Sequence, residues 1–203
     1  MSRYTGPRLK KMRALGVDLP GLSRKRMERR PYPPGQHGMN KRRRQSDFGR
    51  QLQEKQKLRM NYGVSERQLR GLYAEASLSK TPTGEKLVEL LERRLDCIVF
   101  RANFAPTIPA ARQLVNHRHF LLNGRKADIA SMRVKTGDVI QLRDKSKEMQ
   151  AITDALASPS LGRPDWLEIN EADRTIKILD LPSGQEAAPF PLDVQLVVEL
   201  YSR

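Results

Sequence analysis

The sequence predicts an α+β fold in which a mainly helical amino-terminal domain carries an inserted small α/β module of two helices, a hairpin and further strands. Three observations predict this class. Apolar residues recur at helical spacing in several segments between residues 46 and 117. Asn123-Gly124 follows an apolar run and is a strong hairpin signal, because both residues tolerate positive φ. Strand-like segments separated by turn residues follow from residue 139 onward.

Residues 1–45 are expected to form a flexible basic arm. Prolines and glycines interrupt any helical pattern there, and hydrophobic residues are sparse among the arginines and lysines. A segment that buries little apolar surface cannot offset the entropy that it loses on becoming ordered. We therefore expect the arm to be mobile in the free protein and to order fully only against a partner.

Residues 46–91 are expected to form the helical amino-terminal domain. The first helix covers 46–60 and stops within 61–63; its apolar side carries Phe48, Leu52 and Met60. Ser65 and Gln68 form a capping box at the start of the second helix. Apolar residues follow that box at helical spacing: Leu69, Leu72, Tyr73 and Ala76. The third helix begins near Pro82, and its apolar stripe consists of Leu87, Leu91 and Leu95.

Residues 92–155 are expected to form the inserted module. Thr107 caps a short helix over 107–117, whose inner residues are Ala111, Leu114 and Val115. The hairpin at Asn123-Gly124 and a turn at 136–138 then lead into a strand over 139–142. Residues 156–203 are expected to supply strands and a tail that pack back on the helical domain; the candidate strands are 166–169, 175–179 and 194–200.

The charge of the chain is large and unevenly distributed. Lys and Arg number 38 against 23 Asp and Glu, which gives a net charge of +15. The first 60 residues hold 18 basic and 4 acidic side chains, whereas residues 151–203 hold 4 basic and 9 acidic ones. So strong a basic block with few interleaved acids predicts binding to a polyanion such as nucleic acid.

The single cysteine and the hydropathy pattern indicate the compartment in which the protein is expected to occur. Cys97 has no second cysteine to pair with, which fits a reducing compartment, and its apolar neighbours at 98–100 predict a core position. The amino terminus is polar and basic, unlike a secretory signal. No apolar run approaches the roughly 18 residues that a membrane span requires. We expect a soluble, intracellular protein without a membrane partner.

No catalytic or cofactor motif stands out. No cysteine or acidic cluster completes a metal site around the three histidines, His37, His117 and His119. The sequence has no P-loop, dinucleotide glycine pattern or Ser-His-Asp constellation. We expect no enzyme activity, no cofactor and no metal. Aromatic residues are few and lie outside the motif of a base-stacking sheet. If the polyanion is RNA, its recognition would therefore rest on phosphates, ribose hydroxyls and shape.

The motifs of the module resemble the RNA-binding module named after bacterial small-subunit ribosomal protein four. They occur in order as RRLD at 93–96, ARQLV at 111–115, His117, LNGRK at 122–126 and KTGDVI at 135–140. The flanks resemble the same family, with PYPPGQHG at 31–38, EKQKLR at 54–59, YGVSERQ at 62–68 and the ending VELYSR at 198–203. The stretch 35–38 looks most like cyanobacterial and plastid members. Some members carry an amino-terminal zinc-binding cysteine cluster, which this sequence lacks.

The resemblance implies a structural constituent of the small ribosomal subunit. Members bind the 5′ domain of small-subunit ribosomal RNA at a helix junction and nucleate assembly of the subunit body. They contact small-subunit protein five, at an interface associated with translational accuracy, and other subunit proteins. They also lie near the path by which messenger RNA enters, and some repress their own operon. The expected location is the cytoplasmic ribosome, or the plastid stroma for a plastid-encoded member.

The expected mechanism is a two-part clamp in which a preformed surface of the module docks on RNA and the basic arm then orders along neighbouring phosphates. The arm is expected to contribute Arg3, Arg24, Lys25, Arg26, Arg29, Arg30, His37, Lys41, Arg42, Arg43 and Arg44. The helical domain is expected to contribute Arg50, Lys55, Lys57, Arg59 and Arg67. The module is expected to contribute, from its surface, Arg93, Arg94, Arg112, Gln113, His117, Arg125 and Lys126.

Two other classes of protein carry a module of this kind. An RNA-modifying enzyme needs a separate catalytic domain, but only about fifty residues follow the module here, and they hold no recognisable site. A heat-shock RNA-binding protein would lack the long amino-terminal domain that matches the ribosomal family.

Overall fold

The computed structural model describes residues 4–40, 45–184 and 187–202, and the chain divides into two compact units. The first unit comprises residues 1–88 and 184–203, and the second comprises residues 89–183. Within the described residues, the first unit is helical and the second holds a five-stranded sheet with further helices. The α+β class predicted from the sequence is confirmed.

The first unit is built around helix α2. Its elements are α1 (Arg8–Leu15), α2 (Asp47–Tyr62), α3 (Glu66–Ser77), the start of α4 (Thr83–Glu92) and α8 (Val194–Tyr201). The α8 helix packs on α2 and α3. Apolar side chains buried in this unit include Leu58, Tyr62, Leu69, Val194 and Val197.

Local signals determine where the helices of this unit begin and end. The Ser46 hydroxyl accepts a hydrogen bond from the Gly49 N–H at the start of α2, and Gly63 ends that helix at φ +60°. The predicted capping box is confirmed, because the Ser65 and Gln68 side chains each bond the other's backbone N–H.

The apolar side predicted for α2 is not the most buried side of the helix. Phe48 is 56% exposed, and Leu52 and Met60 are partly buried. The buried residues of α2 are Gln51, Leu58, Asn61 and Tyr62. The side of the helix that faces the core carries polar residues that bond within the unit: Gln51 donates to Glu199, and Asn61 accepts from the Gly21 N–H. Hydrophobic periodicity alone therefore selected the wrong side.

Residues 4–40 are more ordered than the sequence suggested, because they contain α1 and several apolar anchors. Met12, Leu19 and Leu22 are buried. The Gln53 side chain donates to the Leu15 carbonyl at 2.6 Å, which ties the end of α1 to α2. The expectation of a wholly irregular segment over 1–45 is therefore wrong for α1.

The predicted strand over 194–200 is also wrong, since this segment is α8.

The second unit contains an antiparallel sheet flanked by helices. Its helices after α4 are α5 (Leu95–Arg101), α6 (Ile108–Asn116) and α7 (Gln150–Ala157), with a 3-10 turn at Asp144–Ser146. Its strands are β1 (Phe120–Leu122), β2 (Arg125–Ala127), β3 (Val139–Leu142), β4 (Leu167–Asn170) and β5 (Thr175–Ile178), in the spatial order β2-β1-β3-β5-β4. Helix α7 was not predicted, and Leu95 belongs to α5 rather than to the preceding helix.

The core of the second unit lies between the sheet and helices α5 and α6. Phe104 and Phe120 meet edge to face with ring centroids 6.2 Å apart, and both are buried. The predicted core position of Cys97 is confirmed, and burial raises the pKa of its thiol well above the ordinary value. Among the described residues, no helix has the length and apolar character needed to cross a membrane.

Candidate nucleic-acid interface

The β1–β2 hairpin places Arg125 and Lys126 on β2, directly after the Asn123-Gly124 turn. Asn123 and Gly124 have φ values of +50° and +76°, as a two-residue hairpin turn of this kind requires. The Asn123 side chain accepts the Val139 N–H at 2.9 Å and donates to Asp138 at 2.9 Å, which ties the turn to β3. Arg125 and Lys126 are exposed, and within the described part of the chain neither has a carboxylate partner.

Helix α6 presents a second exposed group of polar residues. The Thr107 hydroxyl caps the helix by accepting the Ala110 N–H, and Ala111 and Val115 are buried on its inner side, as predicted. Gln113 and His117 lie exposed on the remaining surface. Because α6 packs on α5 and leads directly into β1, these two side chains are held by the same unit as the hairpin cations.

Arg94 does not lie at the surface where we expected it. Its side chain is only 8% exposed and makes a bidentate pair with the fully buried Asp96, at 3.0 and 2.9 Å. Burial alone would lower the pKa of Arg94, but the charge and hydrogen bonds of Asp96 outweigh it and raise the pKa. A guanidinium so enclosed supports the fold and offers little surface to a ligand.

Arg112 is attached to the same carboxylate. Its Nε and Nη2 both donate to Asp96, and its side chain is 20% exposed. Arg93 is similarly occupied, since it donates to Glu89 at 2.8 Å and to the Val134 carbonyl at 3.0 Å. The surface position expected for these arginines is therefore wrong for Arg94 and only partly correct for Arg93 and Arg112.

The cations predicted on α2 are largely neutralised within the first unit. Lys57 pairs with Glu54 at 2.5 Å, and both side chains are nearly buried. Lys55 and Arg59 both contact Glu66, at 3.1 and 3.4 Å. These contacts connect α2 to α3. Arg50 is more exposed and pairs with Asp47, and Arg67 is exposed.

The predicted arm residues divide into two sets. Those in the described part of the chain are exposed: Arg24, Lys25, Arg26, Arg29, Arg30 and His37. The others lie outside the described residues: Arg3, Lys41, Arg42, Arg43 and Arg44.

Several basic side chains of the second unit were missed by the sequence analysis. Arg118 directly follows His117 and is mostly exposed, paired with Asp128 at 2.9 Å. Arg143, at the end of β3, is half-buried, and its guanidinium donates to the Arg118 carbonyl at 3.1 Å. Arg118 could have been found from its position between two histidines at a helix end, whereas only tertiary structure brings Arg143 beside it.

Comparisons with known proteins agree with this architecture. The family model of the ribosomal protein S4/S9 N-terminal domain matches residues 3–92, and that of the S4 domain matches residues 93–140. Small ribosomal subunit protein uS4 of Methylobacillus flagellatus is 59% identical over the whole of this chain and 98% of its own length. The protein uS4B of Nitrosomonas europaea is also 59% identical, and uS4 of Synechococcus sp. is 49% identical, each over the whole chain. The chain therefore belongs to the family of small ribosomal subunit protein uS4.

Proposed function

We propose that the protein is a structural constituent of the small ribosomal subunit that binds small-subunit ribosomal RNA directly. The observation that carries this proposal is the pair of exposed cations, Arg125 and Lys126, on a hairpin that Asn123 ties to β3. Fixed cations without carboxylate partners suit a defined arrangement of RNA phosphates. The family is one of ribosomal proteins rather than enzymes, so no catalytic step is involved.

The proposed mechanism is a revised two-part clamp. Gln113, His117, Arg125 and Lys126 form the preformed surface, and the buried Arg94–Asp96–Arg112 cluster supports the helices behind it. Exposed cations of the arm then follow neighbouring phosphates and release counterions. In this arrangement the rigid surface selects an RNA geometry, while the arm supplies much of the affinity.

The proposed RNA target, protein partners and location are those that the resemblance to the uS4 family implies. The RNA target is a helix junction of the 5′ domain, where binding would nucleate assembly of the subunit body. Small-subunit protein five and other subunit proteins are the proposed protein partners, with a contribution to translational accuracy. Messenger RNA near the path by which it enters is a further proposed neighbour, and cytoplasmic ribosomes are the proposed location.

The test compares two double variants in titrations with a 5′-domain RNA fragment and with a plain duplex. The Arg125→Ala/Lys126→Ala variant should lose more affinity for the junction than for the duplex. The matched control, Arg163→Ala/Lys177→Ala, removes two exposed cations that pair with Glu171 and Glu168. It should bind both RNAs nearly as the unmodified protein does.

Salt dependence gives a second readout. The logarithm of the affinity should fall steeply with the logarithm of salt concentration, with a slope reflecting on the order of five to ten phosphate contacts. An affinity that is nearly flat between low and physiological salt would contradict the clamp. Mass spectrometry of purified small subunits tests whether the protein is a constituent of the particle.

A further inference from the structure

The Asn123-Gly124 turn is a chemically reactive pair as well as a conformational signal. An asparagine side-chain carbonyl carbon can be attacked by the backbone nitrogen of the next residue, and glycine hinders that nitrogen least because it has no Cβ. Of the six asparagines in the sequence, Asn123 alone is followed by glycine. Its side chain is exposed, so water reaches it.

The fold restrains the amide that would react. Asn123 Nδ2 donates to Asp138 at 2.9 Å, and Asn123 Oδ1 accepts the Val139 N–H at 2.9 Å. Both ends of the amide are therefore bonded to the start of β3. The amide cannot rotate, and its carbon Cγ cannot become tetrahedral, without the loss of at least one of these bonds. The folded hairpin should therefore slow the attack by the Gly124 nitrogen.

Asp138 cannot easily move away from position 123. Its Oδ2 accepts the Lys135 N–H at 2.7 Å, and its backbone carbonyl accepts the Ile178 N–H at 3.0 Å. The side chain and the backbone of Asp138 are thus each held by a separate bond. Any change in the group that faces Asp138 from position 123 will act on a carboxylate that stays in place.

We propose that Asn123 is a site of spontaneous deamidation that the folded hairpin protects, and that the product can no longer hold the turn to Asp138. In the first step the Gly124 nitrogen bonds to Asn123 Cγ and loses its proton, while the bond from Cγ to Nδ2 breaks and ammonia leaves. In the second step water opens the resulting cyclic imide. The net reaction consumes one water and releases one ammonia. It is independent of RNA binding.

Water can open the imide on either side, and neither product suits this turn. Opening at Cγ gives aspartate, whose ionised carboxylate has no proton to donate and repels the fixed carboxylate of Asp138. Opening at the backbone carbonyl gives isoaspartate, whose main chain passes through Cβ and is one atom longer. A longer chain no longer fits a two-residue turn with Leu122 paired to Arg125.

The first experiment compares the rate of deamidation in the folded and unfolded protein. The unmodified chain is incubated in buffer and in unfolding urea at one pH and temperature, and digested samples are followed by peptide mass spectrometry. Deamidation at Asn123 should be on the order of tenfold slower in buffer, because two hydrogen bonds must open first. Asn170 is an internal control: its amide bonds Asp173 in a similar way, but Glu171 follows it, so it should react far more slowly in both conditions.

A variant tests whether the bond to Asp138 provides the protection. Asp138→Ala should deamidate several-fold faster than the unmodified protein in buffer and at the same rate in urea. The matched control is Asp128→Ala, which removes a nearby carboxylate that pairs with Arg118 instead. It should leave both rates unchanged. Circular dichroism confirms that each variant is folded in buffer.

The second experiment imitates the aspartate product. The Asn123 N–H bonds the Val139 carbonyl at 2.8 Å, so its hydrogen exchange reports whether the turn stays attached to β3. Asn123→Asp should reduce the protection of this amide on the order of tenfold. The exchanged pair Asn123→Asp/Asp138→Asn restores one donor and one acceptor and removes the repulsion, so protection should recover.

Each result decides a part of the proposal. Equal rates of deamidation at Asn123 in buffer and in urea, or a faster rate in buffer, would overturn the protection, and this comparison needs no variant. Unchanged protection in Asn123→Asp would overturn the release of the turn. A loss of protection that the exchanged pair does not restore would show that Asp138 is not the cause.

Discussion

Asp96 accepts two hydrogen bonds from Arg112 through a single carboxylate oxygen, Oδ2, at 3.0 Å from Nε and 2.7 Å from Nη2. Arg94 donates to both oxygens of the same carboxylate. Asp96 lies in the first turn of α5 and Arg112 lies on α6, so this one buried carboxylate links the two helices. The arrangement separates arginines that support the fold from arginines that are exposed to a ligand.

Replacing Arg112 should therefore destabilise the protein. The Arg112→Ala variant removes one of two cations on a buried carboxylate, and Arg94 still compensates the charge. We expect a loss of about 2 kcal/mol in the free energy of unfolding, below the full cost of leaving a buried ion unpaired. Urea denaturation measures it, and Arg125→Ala, an exposed residue, is the control. Equal stability of both variants would show that the Asp96 linkage is not structural.

Low pH should reduce the folding stability of the first unit, because Glu66 becomes protonated there. Burial alone would raise the pKa of Glu66, but the hydrogen bonds from Tyr201 and Lys55, together with nearby positive charge, lower it overall. The ionised Glu66 therefore stabilises the folded state above the pKa of the unfolded chain, about 4.3, and this stabilisation is lost as pH falls through the lower folded pKa.

The Glu66→Gln variant tests this assignment. Its stability should fall less than that of the unmodified protein between neutral pH and about pH 3. Denaturant unfolding at both pH values measures the difference. The control is Glu148→Gln, an exposed residue without an ion pair among the described residues. If the stability of Glu66→Gln falls with pH as steeply as that of the control, Glu66 is not the residue responsible for the loss of stability in acid.

The hairpin turn should not tolerate a side chain at Gly124. A Cβ there meets no atom within 4 Å, so the cost of Gly124→Ala comes from the backbone at φ +76°. We expect a loss of about 1 kcal/mol and weaker binding to junction RNA, because Arg125 and Lys126 follow directly. Gly162→Ala, which also meets open space but lacks positive φ, is the matched control. It should be neutral or slightly stabilising in thermal unfolding.

Hydrogen exchange should detect protected backbone amides within residues 4–40 of the free protein. The Gly21 N–H bonds the Asn61 side chain at 2.9 Å in a buried position, so it should be strongly protected. The Lys25 N–H bonds Ser23 at an exposed position and should exchange faster. In Asn61→Ala, protection at Gly21 should fall. Fast exchange at Gly21 in the unmodified protein would restore the expectation of a mobile arm.

Features with local causes could be predicted from the sequence. The capping box of Ser65 and Gln68, the Thr107 cap and the Asn123-Gly124 turn each depend on a few adjacent residues, and all three are confirmed. The segment 194–200 has the composition of a strand but forms α8. Asp193 caps that helix, and Glu54 on α2 accepts the Asp193 N–H, so tertiary contacts override the β propensity of its valines.

The candidate site was harder to predict, because charge in a sequence does not reveal which cations are already neutralised. Lys55, Lys57 and Arg59 looked like a basic surface, yet Glu54 and Glu66 hold them. Arg94 carries the same charge as Arg125 but lies in the interior. Arg143 reaches Arg118 only through the pairing of β1 with β3, which no local pattern shows.

The strand order of the second unit should affect the rate at which the protein associates with a polyanion. Strands β2 and β4 lie at opposite edges of one sheet, four strand spacings or about 19 Å apart. The sequence around β2, residues 117–135, holds five basic residues and one acidic, whereas that around β4, residues 163–183, holds three basic and five acidic. From this difference in charge we expect an electrostatic asymmetry along the width of the sheet. In the field of a polyanion, the unit should then turn its β2 edge forward before contact. Productive encounters should then outnumber those of randomly oriented collisions, and the association rate should fall as added salt screens the field.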